Sequence, residues 1–229
     1  MISIPLKIKN MNANDFVVCV DAGHGGLNKG IGPDKYVTYP SKCFQHKHGK
    51  FHSYGWFFEG VFNRSLANFL EQFLLDYGFQ VKKVYEPIID TSLNKRCQLV
   101  NSYATLGKAT VLVSIHGNAA ASTSARGWEV FTSPCDTKSD LLATMIGEEV
   151  KDATPGWVHR HDYSDGDLDR EARFQMLTAT KVPAVLTENG FFTNYNDAVL
   201  MIDREWQEAV AKAHAKGILE YAIKQGVEW

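Results

Sequence analysis

Three short apolar runs restrict this chain more than any other feature. FVVCV (16–20), VLVSI (111–115) and AVL (184–186) are continuous rather than alternating, as in strands buried on both faces of a sheet. Each stops abruptly, in DAGHGG, in HGN and in TENG respectively. Between the first two, Leu66, Phe69, Leu70, Phe73, Leu74 and Tyr77 recur at helical spacing until Gly78, which predicts an amphipathic helix with a glycine stop. Buried strands alternating with such helices predict an α/β fold, a mostly parallel twisted sheet flanked by helices on both faces.

The remaining segments fit that frame. Gln80 to Tyr85 reads as a strand, and Ser92 as the N-cap of a helix carrying Leu93, Cys97 and Val100 that Gly107 would end. Gly127 to Thr132 alternates like a half-buried strand, Ser139 can cap a helix through Val150, and a last helix covers Arg204 to Lys224. With 229 residues, 45% of them hydrophobic, the chain can fill one sizeable core, so a single domain over 1–229 is expected. The long irregular stretch from Leu27 to Gly55 has the length of a functional or mobile loop.

Composition narrows the partners. A formal net charge of −2, with no Lys or Arg run longer than two, gives no footprint for nucleic acid. No window is apolar enough to cross a membrane, and the first residues, MISIPLKIKNMNANDF, lack the core of a secretion signal, so synthesis in the cytoplasm is expected. The four cysteines, Cys19, Cys43, Cys97 and Cys135, form no CxxC pair and are expected as thiols.

The polar residues that end the apolar runs include His24, His116 and Glu188. Ligands bind outside the carboxyl ends of strands in α/β sheets, so these side chains have a route to convergence. Two imidazoles and one carboxylate leave a tetrahedral zinc one open position, the arrangement of a catalytic site. Glu59, at the start of the first helix in WFFEG, is the candidate for a further carboxylate. Taken singly, a strand-end histidine is more often structural, and Glu59 more often a favourable first-turn charge. His46, His48 and His52 in QHKHGKFH read as exposed loop residues, and His214 as a surface or packing residue. The aromatics of the long loop, Tyr36, Tyr39, Phe44, Phe51, Tyr54, Trp56 and Phe57, suit stacking on sugars or pinning the loop.

Six separated segments, VCVDAGHGG, FFEGVFNRSLANFL, DTSLNKRCQLVN, VLVSIHGNAA, GWEVF and PAVLTENGFFTN, resemble in order the zinc-dependent N-acetylmuramoyl-L-alanine amidases, phage endolysins among them. The resemblance spans nearly the whole chain. It implies one Zn2+ held by His24, Glu59 and His116, with Glu188 as the catalytic carboxylate that takes a proton from water and passes it to the leaving amine. Asp21 and Asn118 would orient imidazoles, and His159 and His161 would reach the cleft to steady the oxyanion or the glycan. Arg96 falls on the motif spacing Asp90, Arg96, Asn101. The chain departs from the family at Gly117, where alanine is usual, and at Asn189, where an aliphatic residue is common. No long helix that plugs the zinc, as in some periplasmic relatives, is expected between Val150 and Lys181.

The implied substrate is bacterial peptidoglycan, cut between N-acetylmuramic acid and L-alanine. Two other readings stand beside this one: a zinc amino- or carboxypeptidase, with Arg96 as a carboxylate clamp, and a non-catalytic wall-binding module. A lytic enzyme released to the wall at lysis is the biological role expected of a chain with no export signal and no plug.

Overall fold

The structure is a computed structural model that describes residues 11–228 apart from 31 and 107. The secretion-signal reading of residues 1–10 and the helix stop at Gly107 therefore lie outside the described residues. In chain order the elements are β1 (Met11–Asn12), β2 (Phe16–Ala22), β3 (Cys43–Gln45), β4 (Trp56–Phe58), α1 (Glu59–Asp76), β5 (Gln80–Lys83), α2 (Leu93–Ala104), β6 (Ala109–Asn118), β7 (Trp128–Thr132), α3 (Lys138–Ala153), β8 (Arg170–Glu171), α4 (Gln175–Thr178), β9 (Ala184–Phe191), α5 (Tyr195–Ile202), α6 (Arg204–Lys224) and β10 (Val227–Glu228).

The central sheet has the order β5-β2-β6-β9-β7-β8. β2, β6 and β9 run parallel, as their continuous apolar runs predict, and the edge strand β5 joins them in parallel, while β7 pairs antiparallel with β9 and β8 runs parallel with β7. Side chains alternate across the strands. Val18, Val20, Val111, Val113 and Val185 pack into a core with Leu66 and Leu70 of α1, Leu142 and Ile146 of α3, and Val210 and Ile218 of α6. Val17, Cys19, Leu112 and Leu186 face the other way, onto Cys97 and Val100 of α2 and Met176 and Leu177 of α4. Helices thus cover both faces.

The chain passes from β2 to β5 through α1 on one face and from β5 to β6 through α2 on the other. Strand order reverses at β2, and a reversal of that kind opens a crevice at the carboxyl edge of an α/β sheet.

Two helix starts are informative. Ser92 caps α2, its hydroxyl accepting from Lys95 N. For α3 the cap is Thr137 rather than Ser139, in a capping box with Asp140. Ser139 lies inside the helix, where its Oγ accepts from Ala184 N at 3.1 Å and ties α3 to β9.

The stretch from 27 to 55 is more ordered than its composition suggests. It contains β3, which pairs antiparallel with β4, and its aromatics mostly pin it: Phe57 is fully buried and stacks on Phe192, and Tyr36 stacks on Phe58. Only Tyr39 and Tyr54 are exposed among these. His46 is buried against Phe192 O at 2.9 Å, and His52 Nδ1 accepts from Phe58 N, so two of the three loop histidines are packing residues; His48 is exposed. All four cysteines are free thiols.

Candidate active site

β2 brings the chain to the carboxyl edge, and the next two residues turn it. Gly23 N–H donates to Ile115 O at 3.0 Å, which holds the turn against β6. A Cβ on Gly23 would lie 2.1 Å from Cε1 of His116, so only glycine lets the turn pass that ring. His24 then adopts a φ of 63°, a left-handed conformation uncommon outside glycine. Two buried arginines hold it there, Arg64 Nη2 donating to the His24 carbonyl at 2.7 Å and Arg96 Nη2 at 3.1 Å.

Arg96 is 1% exposed and ion-paired with Asp21, whose other oxygen accepts from Ser114 Oγ at 2.7 Å. Its remaining bonds go to the carbonyls of Ala22 and Thr91 and to Asp90. Asp21 therefore acts on the His24 turn through Arg96, not by bonding an imidazole. A guanidinium so occupied is also unavailable to clamp a substrate carboxylate, which removes the main support for the peptidase reading.

Glu59 is the first residue of α1, where the helix dipole favours a carboxylate. It is 1% exposed, and its Oε1 lies 3.2 Å from His24 Nε2 and 3.0 Å from His116 Nδ1. One turn on, Asn63 Nδ2 donates to Gly23 O at 3.1 Å and to Glu59 Oε1 at 3.4 Å. The two imidazoles meet edge to face with centroids 5.1 Å apart. One ligand atom from each of His24, Glu59 and His116 lies within 4.8 Å of the others. Burial disfavours a charge on Glu59, but its contacts with His116 and His24 outweigh that and hold the carboxyl well below the usual range. His24 Nε2 and Glu59 Oε2 are buried yet have no aligned hydrogen-bond partner. Two imidazole nitrogens and a carboxylate oxygen, converging with lone pairs left over, are the donor set zinc prefers.

Glu188 sits beside this cluster because β6 and β9 are in register, His116 opposite Glu188, with Glu129 of β7 on its other side. Burial pushes the Glu188 carboxyl up to about 8; His116 pulls against that shift, and Glu59 adds to it. Its Oε2 is buried without a hydrogen-bond donor. The strand is held from behind: Asn189 Nδ2 donates to His116 O and to Thr187 Oγ1, while Asn189 Oδ1 accepts from Trp128 Nε1 at 3.0 Å. Thr187 Oγ1 also meets His214 Nε2 at 3.1 Å, so His214, fully buried on α6, is a packing residue beneath the site.

Asn118 does not reach an imidazole; its Nδ2 donates to Glu129 Oε2 at 3.0 Å. His159 meets Thr154 Oγ1 and His161 meets Tyr163 Oη, and both rings lie against Trp128. Among the described residues no hydrogen bond links either to His24, Glu59, His116 or Glu188. Sequence reasoning missed Arg64, Asn63, Glu129 and Arg160. Arg160 is ion-paired with Glu129 and lies over the Phe191 ring at 5.3 Å, at the border of the crevice. The available signal for Asn63 and Arg64 was their place in FNRS, one turn after Glu59 and Gly60 on the buried side of α1.

A sequence profile described as N-acetylmuramoyl-L-alanine amidase matches residues 18–220. The chain belongs to this family. These amidases are zinc-dependent as a family. The chain is 31% identical over 132 residues to the N-acetylmuramoyl-L-alanine amidase CwlM of Bacillus licheniformis, covering 56% of this chain and 45% of that protein. It is 31% identical over 117 residues to the endolysin of Bacillus phage SPP1, covering 51% and 42%. The chain thus spans less than half the length of these two relatives. The N-acetylmuramoyl-L-alanine amidase AmiC2 of Nostoc punctiforme superposes with a TM-score of 0.71 at 22% identity, over 93% of this chain and 99% of that one, and shows the shared amidase fold.

Both departures from the amidase pattern have a physical setting here. A Cβ on Gly117 would come 2.8 Å from Met201 Cε and 3.3 Å from Phe62 Cδ1. Asn189 is fully buried, and both ends of its amide are bonded as described above. Between α3 and β9 the only helix among the described residues is the four-residue α4, packed on the α2 face, so that segment lays no long helix over the crevice.

Proposed function

We propose that this chain hydrolyses the amide bond between N-acetylmuramic acid and L-alanine in bacterial peptidoglycan, with His24, Glu59 and His116 holding one zinc ion and Glu188 moving the proton. The observation that carries the reading is the convergence of three ligand atoms within 4.8 Å beside the carboxyl of Glu188, whose buried Oε2 has no hydrogen-bond partner. A zinc ion held there supplies Lewis acidity, which polarises a carbonyl and makes water acidic near neutral pH.

The protein supplies the rest. An amide needs a proton on its nitrogen before the amine departs, and a carboxylate placed beside the attacking water can take a proton from it and pass it on. Glu188 Oε2 is the acceptor for the proton of the attacking water, having no donor of its own, and it returns that proton to the L-alanine nitrogen. Asn189, Thr187 and His214 hold β9 so that the carboxyl stays in place, and Arg64 and Arg96 hold the His24 turn.

Purified sacculi incubated with the protein should release stem peptides with a free L-alanine amino terminus, read by mass, and a chelator should stop the release. Release of free reducing ends, or of amino acids from soluble peptides alone, would overturn the assignment. The similarity to a phage endolysin favours a lytic role. Cells making the protein internally should then grow until the membrane is permeabilised, and lyse rapidly afterwards unless a chelator is present; intact walls with folded, metal-loaded protein would refute that role.

A further inference from the structure

A second group of potential ligands lies toward the other edge of the sheet. The segment 162–169, DYSDGDLD, leads into β8, and its Asp165, Asp167 and Asp169 line one cleft with Asp136 and Asp140 at the start of α3. Asp169 is 2% exposed; its Oδ2 accepts from Thr132 Oγ1 at 2.5 Å, while its Oδ1 is buried and has no hydrogen-bond donor. One carboxylate oxygen from each of Asp140, Asp167 and Asp169 lies within 4.8 Å of the others. Asp136, Asp165 and Glu171 line the same cleft, and no Lys or Arg does.

Ordinary structural roles account for two of the three. Asp140 closes the α3 capping box, accepting from Thr137 N at 2.6 Å, and Asp167 Oδ1 accepts from Asp169 N at 3.3 Å. Neither role explains a buried carboxylate that keeps one oxygen bare beside two like charges. Burial, opposed by the Thr132 bond and reinforced by Asp167 and Asp140, pushes the Asp169 carboxyl up to about 7. An uncompensated charge of this kind costs free energy unless a cation faces it.

We infer that Asp140, Asp167 and Asp169 form a second, non-catalytic site for a hard divalent cation of the calcium class. The three clustered ligand groups are all carboxylate oxygens, which suit calcium over zinc although the Cys135 thiol lines the same cleft, and calcium at about 2.3–2.6 Å from each ligand spans oxygens as much as about 5 Å apart. Magnesium prefers to keep several waters and needs fewer carboxylates. A bound ion would tie the 162–169 segment to α3 and, through Thr132, to β7. Two residues before that segment stands Arg160, so the ion would also steady the Arg160–Glu129 pair at the crevice.

The test is calorimetric titration of the zinc-loaded full chain with calcium chloride, beside thermal melts. One calcium per chain is expected, and at a hundredfold excess over Kd the melting temperature should rise by about 5–10 °C. Asp167→Asn, at a half-buried position, should weaken calcium binding at least about tenfold without loss of fold. Asp169→Asn should do the same and melt higher than wild type without calcium, because it removes the bare charge. Glu188→Gln, expected to keep fold and metal, should leave calcium binding unchanged. No heat and no melting shift at millimolar calcium, equal affinity in Asp167→Asn, loss of calcium in Glu188→Gln, or preferential binding of magnesium would each overturn the inference.

Discussion

Two glycines near the His116 ring answer differently to one added methyl group. At Gly23 the new Cβ would meet the imidazole itself, 2.1 Å away, so Gly23→Ala should displace His116 and abolish metal retention, read by elemental analysis of the folded protein. At Gly117 the nearest atoms are the end of the flexible but buried Met201 and the Phe62 ring, neither of them a ligand, so Gly117→Ala should cost about 1–3 kcal/mol in stability yet keep metal and activity. Equal metal content in the two variants would contradict this geometry. Glu188→Gln should keep fold and metal while the rate of amide release falls by about 10²–10⁴, since an amide oxygen cannot take the proton. Near-normal turnover would mean that Glu188 has a structural role only. His24, His116 and Glu188 were legible because each follows an apolar run that stops abruptly at the sheet edge. Glu59 was legible only weakly, since a glutamate opening a helix has an ordinary electrostatic reason to be there. Arg64 and Arg96 were harder, because an arginine on a helix reads as solvated until its carbonyl partners are known.

At the scale of elements, α1 and α6 do different work for the same edge. Arg64 on α1 donates to the carbonyls of His24, Gly60, Glu86 and Pro87, so Arg64→Met should loosen the His24 turn and weaken metal affinity by about 10–100-fold with secondary structure intact, measured by competition with a chelator. On α6, His214 is neutral in the fold, one ring nitrogen at Val210 O and the other at Thr187 Oγ1, and burial lowers its pKa to about 4. The unfolded chain takes up a proton below about pH 6.5 that the fold refuses, so His214, like His52, whose pKa burial also lowers to about 4, contributes stability that is lost as pH falls from about 6.5 towards 4. Urea melts with chelator present should show that loss in wild type and a flatter acid limb in His214→Gln; identical slopes would remove His214 as the cause. The helices α1, α2 and α6 were readable from periodicity and caps. The α3 cap was misassigned because Thr137 and Ser139 are both competent hydroxyls, and the Thr137–Asp140 spacing decides between them. The short α5 and the β3–β4 hairpin carried too few residues for a period to show.

Across the whole molecule, the parallel order of β2, β6 and β9 follows from runs apolar on both faces, whereas the antiparallel turn of β7 depends on packing that no local pattern records. The proposed metal ligands are supplied by three separate stretches of chain, the turn after β2, the start of α1 and the end of β6, with Glu59 and His116 standing 57 positions apart. No fragment of the unfolded chain brings two of them within reach at small loop-closure cost, so the ion has nothing to grip until β2, α1 and β6 have docked. Metal should then act after the folding barrier: zinc should leave the refolding rate nearly unchanged and slow unfolding in proportion to the stability it adds, seen in the two limbs of a denaturant chevron. A metal site assembled in this sequence would be emptied by unfolding and not templated by its ion, so how long it keeps a metal would be governed by how rarely the β2–β6 edge opens.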